Sequence, residues 1–180
     1  MKLDKIRIAT LADAFEIATL VNAAYRPKSD QAGWTHESNL ISGSRTSYDQ
    51  IIEIIQKNDS IILVGIHDTK IYACVHIEKT DDHCYIGMLA VAPASQDSGL
   101  GKEMLNRAEQ FAIDYFSAEK FVMIVLSARH ELISFYIRRG YQKTGTSMDY
   151  PLSAGVGLPK QNNLRIEVLE KVVALRTLSS

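Results

Sequence analysis

The sequence predicts an α/β fold in a single domain spanning residues 1–180, with about seven strands and about four helices. Three observations carry this. The hydrophobic period is helical in the first part of the chain, turns strand-like through the middle, and then alternates between the two. A chain of 180 residues with 46% hydrophobic and 23% charged residues can bury one sizeable core. No internal repeat, low-complexity tract or linker divides it.

Lys5-Ile6-Arg7-Ile8-Ala9 alternates as a short strand. Thr10 then caps a helix to about Ala24, with Leu11, Phe15, Ala18 and Val21 recurring at helical spacing. The polar stretch from Tyr25 to Arg45, with Pro27, Gly33 and Gly43, reads as loop. Ser47 opens a second helix that carries Ile51, Ile54 and Ile55 and ends near Asn58. Ser60 to His67 and Ile71 to Lys79 are β-branched strands around a turn at Asp68-Thr69. Cys84 to Val91 is the next strand, where Gly87 signals a bulge or a close backbone approach.

Leu100 to Phe116 is a long amphipathic helix with Leu100, Met104, Leu105, Ala108, Phe111 and Ala112 on its buried stripe. Lys120 to Leu126 is continuously apolar, as in a strand covered on both faces. A short helix from about Glu131 stops at Gly140 after Arg138-Arg139. Tyr141 to Thr146 and Leu164 to Leu169 are the last strands, separated by a Gly/Pro/Asn-rich loop from Pro151 to Asn163.

A net charge of −1 with no basic run gives no footprint for nucleic acid or a membrane surface. No apolar stretch reaches membrane-span length and no signal-peptide core follows Met1, so a cytoplasmic protein is expected. If Asp81-Asp82 turns a hairpin, Cys84 lies opposite Lys79, roughly 17 Å along the strand from Cys74. That is beyond disulfide reach, and free thiols are expected. Cys74, His76, His83 and Cys84 make a poor zinc set, because His83 and Cys84 face opposite ways in a strand; no metal is expected.

The stretch carrying most chemistry is Val91-Ala92-Pro93-Ala94-Ser95-Gln96-Asp97-Ser98-Gly99-Leu100-Gly101-Lys102. It leaves a strand and enters a helix through two glycines, a junction that points backbone N–H groups at an anion. A cation in a first helical turn costs a few tenths to about 1 kcal/mol against the helix dipole, so Lys102 makes better sense facing something negative. A P-loop is excluded, since Gln96 stands where its first glycine belongs and Glu103 where Ser or Thr belongs. The dinucleotide fingerprint fails at Met104, where a third glycine is required.

The remaining pattern, Gln-x-x-Gly-x-Gly, resembles the pyrophosphate loop of the GNAT acyltransferase superfamily, whose pattern is Arg/Gln-x-x-Gly-x-Gly/Ala. Glu131-Leu132-Ile133-Ser134-Phe135-Tyr136-Ile137-Arg138-Arg139-Gly140-Tyr141 resembles that family's Ala-x-x-Φ-Tyr-x-x-x-Gly-Phe/Tyr segment, with Leu132 at the usual alanine. The element order agrees from about Lys5 to Glu170. The resemblance implies a mixed, mostly antiparallel twisted sheet in which the strand at Gly87–Val91 splays from the one at Phe121–Leu126. It implies acetyl-coenzyme A as donor, its arm in the wedge against backbone groups of Leu89 and Val91, and its pyrophosphate on the amides of Ser98 to Lys102. The expected cofactor contacts are therefore Leu89, Ala90, Val91, Gln96, Ser98, Gly99, Leu100, Gly101 and Lys102, with Arg129 and Phe135 beyond the next strand. Many relatives have asparagine where Arg129 stands.

Tyr136 is the implied catalytic residue: a phenol of pKa near 10 can donate a hydrogen bond or a proton to a leaving thiolate whose conjugate acid is near 8.5. The strand Cys84 to Val91 contains no carboxylate to serve as base, which leaves Glu37, Glu78, His83 and Asp149 as candidates. On the acceptor side, the loop residues Tyr25, Trp34, Glu37 and Arg45 suit a small polar molecule. Neither cysteine has an activating partner in the sequence.

The expected function is direct acetyl transfer to a primary amine of a small molecule or peptide, by a monomer or homodimer. The rival is a noncatalytic coenzyme A-binding module.

Overall fold

The computed structural model describes residues 2–27 and 36–173. The elements are β1 (Lys5–Ile8), α1 (Ala14–Tyr25), β2 (Ile41–Ser42), α2 (Tyr48–Gln56), β3 (Ser60–His67), β4 (Lys70–Lys79) and β5 (Cys84–Val91). They continue as α3 (Leu100–Phe116), β6 (Lys120–Leu126), α4 (His130–Ile137), β7 (Gln142–Asp149), β8 (Leu158–Pro159) and β9 (Arg165–Val172). Seven strands form one sheet in the order β1-β3-β4-β5-β6-β9-β7, every pairing antiparallel except β5–β6. β2 and β8 make a separate antiparallel ribbon within segments that the sequence read as loop.

The sheet has a core on each face. On one face Met104, Leu105 and Ala108 of α3 pack with Val75, Ile77, Phe121, Met123 and the apolar side of α4. On the other, Ile17, Val21 and Ala24 of α1 and Ile51 of α2 pack on Ile62, Val64, Cys74 and Ala90. The buried side of α1 differs from the expected stripe: Leu11 and Phe15 are exposed, while Ile17 and Leu20 are buried. A 3-10 turn over Leu11–Asp13 explains the change of phase. It is fixed where the Thr10 amide and hydroxyl donate to Asp13, which also takes both Arg7 donors. The α-helical repeat therefore starts three residues later than Thr10 implies.

Two further expectations change. β6 is not covered on both faces; Ile124 is 44% exposed, because α1 and α2 lie over β3, β4 and β5 and stop short of it. The last two strands run longer than their apolar cores, β7 to Asp149 and β9 to Val172. The other signals hold. Lys79 pairs with Cys84 across the predicted hairpin, and both thiols are buried and free. Gly140 takes φ +91° and ends α4, with the Tyr141 amide reaching back to the Tyr136 carbonyl.

Candidate active site

Two features of β5 shape the site. Cys74 pairs with Ala90 and His76 with Gly87, so Val75 faces both Met88 and Leu89; this is a bulge, with Met88 at φ +47°. The bulge aims Leu89 and Val91 into the α3-side core and Met88 and Ala90 into the other. Gly87 beside it is also a close approach: a Cβ there would collide with the Tyr85 ring. Next, β5 and β6 pair only at Cys84–Phe121 and Tyr85–Val122. Beyond these residues the parallel strands part, opening a wedge toward their C-terminal ends.

One cavity, about 380 Å³, lies on the α3 side of this wedge. Leu89, Val91, Gln96, Gly99, Leu100, Gly101, Lys102, Phe135 and Tyr136 line it. The loop into α3 turns through left-handed conformations at Asp97 (φ +67°) and Gly99 (φ +85°). No side chain caps α3. Its first helical donor is the Glu103 amide, to Gly99. The amides of Leu100, Gly101 and Lys102 thus make no hydrogen bond among the described residues. The contrast with α2 is informative, since there Ser47 and Gln50 close the first turn with a capping box. Gly101 contributes space as well, because a Cβ there would project toward Phe135 and Val91 at 3.8 and 3.9 Å, both cavity residues.

Free amides at a helix start, a lysine beside them and a glycine floor fit a diphosphate. The Gln96 side chain fastens the loop by donating to the Val91 carbonyl (3.1 Å). Arg138 and Arg139, whose sequence signal is that of a helix end, also line this cavity.

A second cavity, about 300 Å³, lies across β5 and β6. Tyr25, Glu37, Arg45, Tyr85, Met88, Ile124, Tyr136, Tyr150 and Val156 are among its walls. The late loop closes it: Tyr150 donates to the Val156 carbonyl (3.0 Å), as does Arg26 (3.1 Å). Gly157, at φ +101°, lets that loop pass Ile41 and Ser42, where a Cβ would come within 2.7 Å of each. Tyr25 and Tyr136 line both cavities. The Tyr25 hydroxyl is committed to the Leu89 carbonyl at 2.9 Å. The Tyr136 hydroxyl makes no hydrogen bond among the described residues, although the residue is only 7% exposed. Burial and then the nearby Tyr85 push its phenol well above the usual range, against the opposing charges of Arg129 and Arg139.

Several expected site residues lie elsewhere. Ala90 turns into the α1-side core and away from the first cavity. The Ser98 hydroxyl is used internally on the Ser95 carbonyl. Arg129 is buried at the start of α4 with its Nε on Glu131 (3.0 Å), and it lines neither cavity. The carbonyls of Leu89 and Val91 already hold intramolecular donors, leaving a second lone pair on each. Trp34 lies outside the described residues.

Of the four base candidates only Glu37 lines either of these two cavities. Glu78 pairs with Lys57, His83 sits at the far hairpin against Asp82, and Asp149 is exposed on β7 with Arg165. Tyr85 and Tyr150 stand outside the expected site residues. Only Tyr85 left a signal, since strand alternation puts it on the same face as Gly87.

Comparison with known proteins agrees with this geometry. Residues 22–141, more than half of the chain, match the family model described as Acetyltransferase (GNAT) family. The chain belongs to the GNAT acetyltransferase family. No curated protein matches it.

Solved structures share the fold at low identity. An N-acetyltransferase from Staphylococcus aureus Mu50 superposes with TM-score 0.71 at 17% identity, over 93% of this chain and 96% of that one. The ribosomal-protein-S18-alanine N-acetyltransferase of Escherichia coli gives 0.68 at 13%, over 98% and 97%. A Bacillus anthracis structure assigned as a streptothricin acetyltransferase, in complex with acetyl coenzyme A, gives 0.56 at 18%, over 68% of each chain. Among the described residues no helix is long and apolar enough to cross a membrane.

Proposed function

We propose that this protein is a single-domain N-acetyltransferase that moves an acetyl group from acetyl coenzyme A to a primary amine of a small molecule or peptide by direct attack. The observation that carries the reading is the sharing of Tyr136, with its uncommitted hydroxyl, between the two cavities. A donor in one and an acceptor in the other meet at that phenol. The acetyl-coenzyme A complex of a structural neighbour supports the choice of donor.

Acetyl coenzyme A supplies the acetyl thioester when bound. The amides of Leu100 to Lys102 receive its diphosphate, and the wedge between β5 and β6 admits the arm. In the exchange a nitrogen–carbon bond forms, the carbon–sulfur bond breaks, the amine loses a proton and the sulfur gains one. Tyr136 serves the sulfur. A phenol raised above its ordinary value stays neutral at physiological pH, so it donates a hydrogen bond to the departing thiolate; as general acid it gives up its proton only when that thiolate lies beside it and takes one back from solvent afterwards.

A lysine-like amine is charged at neutral pH, and stripping its proton costs about 4 kcal/mol across a gap of about three pKa units. Glu37 is the one carboxylate among the described residues lining the acceptor cavity, which makes it the group to face that ammonium or take its proton.

Thiol release from acetyl coenzyme A, measured against a panel of primary amines, tests the reading. Amine-dependent release is expected. Tight coenzyme A binding with no release on any amine would return the noncatalytic module.

A further inference from the structure

We infer that the acceptor carries a carboxylate beside its amine, as an apolar α-amino acid does, and that Arg45 is the residue that binds it. The inference rests on the acetyl-transfer reading and goes on to name the acceptor.

Among the described residues, the charges lining the acceptor cavity are Arg26, Glu37 and Arg45. Two of them cancel. Arg26 and Glu37 form an ion pair at 2.6 Å, with both side chains about nine-tenths buried (8% and 10% exposed). Arg26 also donates to the carbonyls of Tyr25 (3.2 Å) and Val156 (3.1 Å), and its buried Nε has no partner among the described residues. Arg45 is different. Its backbone amide is fixed by Asn22 Oδ1 at 2.7 Å, which anchors the residue at the mouth. Its guanidinium, 5.4 Å over the Tyr25 ring, makes no hydrogen bond and no ion pair among the described residues. Glu53 shares a neighbouring surface pocket with it and does not pair with it.

A half-buried guanidinium offering five donors to no acceptor among the described residues is an anion site in waiting. Because the described walls of the cavity carry one uncompensated positive charge, they match one negative charge, which favours a carboxylate over a phosphate. The amine at the opposite end of such a ligand shares Glu37 with Arg26, which holds the carboxylate by Oε2. Ile41, Met88, Ile124, Val156 and Ile166 supply apolar walls for the rest of the molecule.

The test compares L-leucine, L-leucinamide and isopentylamine as acceptors for wild type, Arg45→Gln and Arg45→Lys. It uses thiol release, and it uses calorimetry with the coenzyme A-saturated protein. The amide has the less basic amine, so reactivity alone would favour it, and any preference for the acid must come from recognition. In wild type the acid should bind at least about tenfold tighter than the amide, the low end for a charge-assisted bidentate contact. Arg45→Gln should bring that ratio to within about twofold, and Arg45→Lys, which keeps the charge and loses the fork, should fall between.

Equal affinity for acid and amide in wild type, or an unchanged ratio in Arg45→Gln, overturns the inference. If Arg45→Gln does not fold, the wild-type ratio and Arg45→Lys decide. Turnover of amines without preference for the acid defeats this inference and leaves acetyl transfer standing. Acid-selective binding without any turnover supports the carboxylate site and defeats acetyl transfer.

Discussion

Gly101→Ala and Gly101→Leu should separate stability from donor affinity. Gly101 is in the first turn of α3 with ordinary helical φ, and a Cβ there meets nothing closer than 3.8 Å. The alanine therefore introduces no strain and restricts the unfolded chain, a gain of up to about 0.5–1 kcal/mol. For a chain of this length that raises the melting temperature by about 1–4 °C. Alanine is one of the two residues of the family pattern at this position, so it should leave coenzyme A affinity nearly unchanged. A leucine instead carries its side chain past Phe135 and Val91 into the cavity beside the amides of Leu100 to Lys102. Losing one charge-assisted hydrogen bond there costs about 1.5–3 kcal/mol, or about ten- to a hundredfold in coenzyme A affinity. Thermal melting of the free protein and calorimetric titration with coenzyme A read the two effects separately. A folded Gly101→Leu protein that binds coenzyme A as wild type does would refute the cradle. An alanine variant with a lowered melting temperature would refute the claim that the site is open to a methyl.

Three other outcomes follow from the same geometry. Tyr136→Phe should lower kcat by about a hundredfold or more while coenzyme A affinity stays within about twofold, and removing a buried unbonded hydroxyl should not lower the melting temperature. Ser117 closes α3 in the left-handed region at φ +54°, with the Ala118 amide reaching the Ala112 carbonyl; Ser117→Gly should stabilise by about 0.5–1 kcal/mol in urea denaturation. His76 is buried beside Ser60 Oγ at 2.8 Å, and burial, against the nearby Glu78 charge, lowers its pKa to about 4. The unfolded chain then binds the extra proton between about pH 6.5 and 4. Stability should be full above that window and fall by about 3 kcal/mol as the pH drops through it, and His76→Gln should flatten that slope.

The parts of the fold legible in the sequence are those whose pattern is set by one periodic face. α3, β3, β4 and β5 have a single clear period, and Gly140 and the Asp81-Asp82 turn punctuate as their chemistry requires. The buried side of α1 was misjudged because Leu11 belongs to a 3-10 turn, whose three-residue period resets the helical phase before Phe15. The exposure of Ile124 was hidden because an apolar run does not say which face its neighbours cover. Within the site, the loop at Gln96–Lys102 and Tyr136 stood out, since glycine spacing and a helical motif are local signals. The hydroxyl of Tyr25 on Leu89 and the Arg26 donor on Val156 join residues 64 and 130 apart in sequence, and the Arg26–Glu37 pair and the loop tied down by Tyr150 lie in irregular segments. No period announces them.

The central claim is that a donor and an amine meet at Tyr136 and exchange the acetyl group directly. A single-turnover reaction with enzyme in excess over acetyl coenzyme A, quenched and weighed by mass spectrometry, tests it most directly. Free thiol and N-acetylated amine should appear in equal amounts and at equal rates, with the protein mass unchanged throughout. An acetylated protein that forms and decays in step with thiol release, or thiol released without N-acetylated amine, would contradict it.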